Sequence, residues 1–94
     1  MKLISVQKST LANKKYMALF EDNGKTIVRH FGAKGMSDYT IHKDPARRDL
    51  YLQRHQAREN WNDPKTAGAL SRWILWNKPS LSESITDFKR RFNI

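Results

Sequence analysis

The fold turns on one stretch: Tyr16-Met17-Ala18-Leu19-Phe20-Glu21-Asp22-Asn23-Gly24-Lys25-Thr26-Ile27-Val28-Arg29-His30-Phe31. Before Asn23-Gly24, Tyr16, Ala18 and Phe20 alternate with Met17 and Leu19; after it, Ile27, Arg29 and Phe31 alternate with Val28 and His30. Successive strand side chains point to opposite faces, so a period of two reads as strand. Asn-Gly accepts the positive backbone dihedrals of a type I′ turn, which joins the two runs as a β-hairpin.

Upstream, Leu3, Ser5 and Gln7 alternate with Ile4 and Val6, and a looser turn spans Ser9 to Asn13. This N-terminal strand either pairs as a third strand or stays at an edge. Downstream, Gly32-Ala33-Lys34-Gly35-Met36-Ser37-Asp38-Tyr39 is a glycine-punctuated loop that leads through Thr40-Ile41-His42-Lys43 to a segment of helical period. Asp44-Pro45 and Asp63-Pro64 repeat one start signal, an acidic N-cap followed by a proline that has no amide hydrogen to leave unpaired. Helices are predicted over about Pro45 to Asn60 and about Pro64 to Trp76. Ser80-Leu81-Ser82-Glu83 fits a capping box and starts a third, with Leu81, Ile85, Phe88 and Phe92 on one face. The expected class is α+β: a short antiparallel sheet followed by three helices, with a core centred on Trp73, Ile74, Trp76, Phe88 and Phe92.

Ninety-four residues suit a single domain over 1–94. Eighteen Lys and Arg against nine Asp and Glu leave a net charge of +9, while 38% hydrophobic residues suffice for a core. The absence of cysteine excludes disulfides, thiolate nucleophiles and cysteine zinc sites. The longest apolar run, Tyr16 to Phe20, is too short to span a bilayer, and no signal-peptide pattern is seen, so the expectation is an intracellular protein that does not bind membranes.

The first helix separates its chemistry. Ala46, Leu50, Ala57 and Trp61 form the expected inward stripe, and Arg47, Arg54 and Arg58 align beside Tyr51 on the neighbouring face. With Arg29, Lys34 and Lys43 they make a basic surface suited to phosphates, Tyr51 or Tyr39 offering a ring for stacking. Lys89-Arg90-Arg91 has an ordinary reading as cations at a helix C-terminus. Gly32 and Gly35 around Lys34 could cradle a phosphate, although a plain turn accounts for both glycines. His55 with Glu59, and Asp38 with His42, stand four residues apart, but neither pair has a third partner or a nucleophile motif. No catalytic residue, metal site or cofactor is expected.

At Gly32-Ala33-Lys34-Gly35, and more strongly over Trp61-Asn62-Asp63-Pro64-Lys65-Thr66-Ala67-Gly68-Ala69-Leu70-Ser71-Arg72-Trp73-Ile74-Leu75-Trp76-Asn77-Lys78-Pro79, the chain resembles a family of small basic proteins of unknown function encoded by large double-stranded DNA viruses of the chlorovirus and mimivirus type. The resemblance runs from about Lys15 to Phe92 and brings no reaction or cofactor. It implies a viral product inside the host cell, in the virus factory, cytoplasm or nucleus, or packaged in the virion. The expected function is non-enzymatic nucleic-acid binding of low sequence specificity, DNA first, through Arg29, Lys34, Lys43, Arg47, Tyr51, Arg54 and Arg58. The alternative is a minor capsid or core protein whose basic face meets an acidic viral structural protein.

Overall fold

The computed structural model describes residues 1–94. The expected α+β architecture is present: strands β1 (Lys2–Lys8), β2 (Lys14–Asp22) and β3 (Lys25–Ala33), then helices α1 (Tyr39–His42), α2 (Pro45–His55), α3 (Ala67–Leu70) and α4 (Leu81–Phe92). The sheet is antiparallel in the order β1-β2-β3. Asp22 pairs with Lys25 across the two-residue turn, where Asn23 and Gly24 have φ of 52° and 78°, the positive values that the dipeptide predicts. The N-terminal strand pairs with β2 as a third strand. Its alternation is broken by a bulge between Leu3 and Ser5, which puts Leu3 opposite Phe20 and Val6 opposite Ala18. Leu3 and Val6, read from the sequence as pointing opposite ways, therefore share the inner face.

One face of the sheet packs on the helices. Leu3, Ala18, Phe20 and Phe31 join Leu70, Ile74, Leu75 and Phe88 in a single buried cluster. The core is thus centred differently from the sequence reading: Ile74 and Phe88 belong to it, whereas Trp73, Trp76 and Phe92 are half-buried at its margin. Tryptophan carries an N–H that prefers a partner near the boundary, and Trp73 Nε1 donates to the Trp61 carbonyl at 2.9 Å.

Two predicted helices end or begin elsewhere. α2 starts as read, with Asp44 accepting from the Ala46 amide at 3.0 Å and proline at the first turn, but it stops at His55. Asp63-Pro64, the same signal, closes only an isolated turn in which Asp63 accepts from the Lys65 amide. The helix begins three residues later, because Thr66 Oγ1 takes the Ala69 amide and caps α3. α3 then widens into a π-helical turn over Ser71–Leu75, closed by the Trp76 amide on the Ser71 carbonyl at 3.0 Å. The wider winding turns Ile74 and Leu75, two consecutive residues, both into the core. α4 is capped at its start by Ser80, whose Oγ accepts from the Glu83 amide, and at its end by Asn93 in the left-handed conformation. The single turn α1, absent from the sequence reading, is capped by Asp38.

The inward face of α2 also differs from expectation. Leu50 is 49% exposed, and Ala46 and Ala57 are exposed too, so the stripe of Ala46, Leu50, Ala57 and Trp61 is not what docks this helix. Arg48, Tyr51, Leu52 and His55 are the half-buried residues, at helical spacing. The physical reason lies at the end of the π-turn, whose carbonyls need donors. Arg48 Nε supplies them, reaching the carbonyls of Trp76 at 3.1 Å and Asn77 at 3.2 Å. Alanine and leucine have no donor to offer.

Candidate functional site

Between the open end of the β2–β3 hairpin, α2 and α3 lies a cleft of about 620 Å3. Its sheet wall is Lys14, Lys15, Gly32 and Ala33; Met36 to Asp38 form one side; Arg47, Leu50, Tyr51, Arg54 and His55 come from α2; Gly68, Ser71, Leu75 and Trp76 close the rest. Gly32 is where the sheet meets the π-turn. Its φ is 78°, and a Cβ there would stand 2.9 Å from Leu75 Cδ1 and 3.3 Å from Lys15 Cβ. Glycine is thus required for close approach. The amides beyond it are engaged in turn geometry, Lys34 N on Asn13 O and Met36 N on Ala33 O, so the loop is a turn leaving the hairpin and leaves those two amides no part in a phosphate cradle.

The two carboxylates of the cleft are already occupied. Asp38, 2% exposed, takes Lys15 Nζ on one oxygen and the Thr40 amide and hydroxyl on the other. Glu59 takes His55 Nδ1 on one oxygen and Trp61 Nε1 on the other, each at 2.8 Å. Asp38 and His42, spaced for a shared proton, do not meet: Asp38 caps α1, and His42 Nδ1 accepts from the Asp44 amide at 3.0 Å. Lys14, Arg47 and Arg54 make no ion pair. The cleft therefore presents three uncompensated cations around anionic groups that are spoken for.

Its aromatic wall is a ladder. Tyr51 stacks on Trp76 with centroids 4.2 Å apart and planes within 3°, and His55 stacks on Tyr51 at 4.1 Å. Rings that close cannot share one face of Tyr51, so both of its faces are covered. Tyr51 offers the cleft an edge and a hydroxyl, not the open stacking surface expected of it. Burial first, then the Glu59 charge, pushes its phenol up to about 12, which keeps it a protonated donor. Behind the wall Arg72 donates to the Trp76 carbonyl at 3.0 Å and lies 4.1 Å from the Trp73 ring centre. Burial, with Arg48 and Arg91 nearby, draws its guanidinium down to about 10, still charged at neutral pH.

Of the seven residues singled out from sequence, the cleft brings together Arg47, Tyr51 and Arg54. Arg58 lies beyond the end of α2, its amide on the His55 carbonyl. Lys34 follows Ala33 on an exposed turn. Lys43 is drawn away, its Nζ donating to the Pro79 carbonyl at 2.7 Å. Arg29 stands in β3 opposite Ala18 and donates to the Val28 carbonyl. Sequence reasoning missed Lys14 and Lys15, and it weighed His55 only as a partner of Glu59. The lysines had a signal: counting pairs back from Asn23-Gly24 puts Lys15 opposite Gly32 and Lys14 opposite Ala33. His55 had only its spacing from Glu59.

Arg90 and Arg91 both pair with Asp87, at 3.5 and 3.4 Å, in keeping with their helix-end reading. No group of three or more His, Asp or Glu side chains converges to hold a metal ion, and no helix is long and apolar enough to cross a membrane. Residues 4–55 match a family of unknown function, DUF5754; the matched segment holds the sheet except the first two residues of β1, together with α1 and α2, hence two walls of the cleft. No curated protein and no solved structure matches the chain.

Proposed function

The chain belongs to the DUF5754 family, and since that family has no assigned function we propose, from the geometry, that this protein is a non-enzymatic nucleic-acid-binding protein that contacts phosphates through the cleft and its rim. The observation that carries this is the charge arrangement. Lys14, Arg47 and Arg54 stand unpaired in one concavity whose two carboxylates are hydrogen-bonded by other partners. Lys34 and Arg58, exposed on neighbouring segments, extend the same sign of charge outward. Cations so placed release counterions from a phosphate backbone and carry little sequence information. The resemblance to small basic proteins of large DNA viruses supplies the setting, viral DNA within an infected cell or a particle.

The test is affinity against salt. Log Kd is expected to rise steeply with log salt, and Arg47→Gln and Arg54→Gln are each expected to lower that slope by about one. Arg90→Gln, which removes a cation already paired with Asp87, is the control that leaves the slope unchanged. Binding absent at low salt, or indifferent to salt, overturns the reading.

A further inference from the structure

Two features of the cleft are unused by phosphate contact. Met36, 65% exposed, comes from the loop after β3, and Leu50, 49% exposed, comes from α2; both line the cleft. They are large apolar side chains held in water beside cations, on separate elements. The cleft's volume of about 620 Å3 also falls in the range of small-ligand sites, about 300–1,000 Å3. A B-form duplex hides its bases in the stack and turns its phosphates outward, so it can meet only the cleft's rim. An unpaired nucleotide joins a phosphate to a flat apolar ring and can enter.

We propose that the cleft is a site for an unpaired nucleotide, its phosphate on Lys14, Arg47 and Arg54 and its base against Met36 and Leu50. This rests on the nucleic-acid reading and narrows it to single strands. The aromatic ladder gives the site a rigid wall in which Tyr51 has no free face, covered as it is by Trp76 and His55. The base meets the exposed apolar side chains of Met36 and Leu50. Contact with apolar side chains accepts any base, since every base has an apolar face. Asp38 and Glu59, the acceptors that could read an exocyclic amine, are engaged within the protein.

The experiment compares oligothymidylate, a duplex of equal length and adenosine monophosphate at one salt concentration, with the full chain and with Met36→Ser and Leu50→Ser. Both side chains are exposed, so neither substitution removes core. The single strand is expected to bind about tenfold tighter than the duplex, and each variant to weaken it several-fold while leaving duplex binding unchanged. Competition by the monophosphate at millimolar concentration would assign the site to free nucleotides as well as strands. Equal binding of duplex and single strand, or variants that leave single-strand affinity intact, overturns this inference while leaving the nucleic-acid reading standing. Failure of both polymers to bind at low salt overturns that broader reading, and monophosphate binding would then uphold the cleft alone.

Discussion

Gly32 shows how much a single position can decide. Its positive φ and the 2.9 Å approach to Leu75 mean that Gly32→Ala meets both backbone strain and a core side chain. The backbone term alone is about 1–3 kcal/mol. At about 4–8 °C per kcal/mol for a domain of this size, thermal unfolding of Gly32→Ala should start at least about 4 °C lower. Asp87 makes a different prediction. The hydrogen bond from Asn77, then the Arg91 charge, holds its carboxyl below the ordinary 3.8 despite the opposing effect of burial. A carboxyl depressed in the folded state binds its proton less readily there than in the unfolded chain. Its stabilisation is therefore complete above the unfolded value and is lost as pH falls through the folded one. Unfolding free energy measured by urea between about pH 2 and 6 should show this fall, and Asp87→Asn should flatten it.

Among the elements, α2 is held unlike the rest. It buries no residue completely and docks through Arg48 on two carbonyls and Tyr51 on Trp76. Few apolar contacts mean low local stability. Amide hydrogen exchange should show α2 opening at a free energy several kcal/mol below that of β2, with Tyr51→Ala lowering α2 protection further and leaving the sheet unchanged. The same contrast explains what could be read in advance. The β2–β3 hairpin was legible because alternation and Asn-Gly state the same answer locally. The inner face of α2 was not, because it answers to carbonyls left open after the π-turn, 28 and 29 residues beyond Arg48, and no periodicity of α2 records them. Asp63-Pro64 misled for a similar reason: it is a start signal as good as Asp44-Pro45, but Thr66 offers a cap to a helix that also packs on the sheet. In the candidate site, Arg47 and Arg54 were legible as an unpaired stripe, while His55 depended on where Glu59 would lie after the helix ended.

At the scale of the whole molecule, charge and core are divided between different parts of the chain. Three unpaired cations line the cleft, and apolar mass gathers between the sheet and the α3–α4 pair. Phe88→Ala should therefore cost about 3–5 kcal/mol, read as a shifted urea midpoint, without altering the charges of the cleft. One cluster holds both Leu3 and Phe88, residues at nearly opposite ends of the sequence. During synthesis the hairpin can form as soon as it emerges, since its contacts are local. Its inner face, with Phe20 and Phe31, then waits uncovered until Leu70, Ile74 and Leu75 arrive, and the cluster is completed only by Phe88. Until then the hairpin is an apolar sheet in search of a lid, so the interval between making Phe31 and making Phe88 is its period of greatest exposure to aggregation and to chaperones.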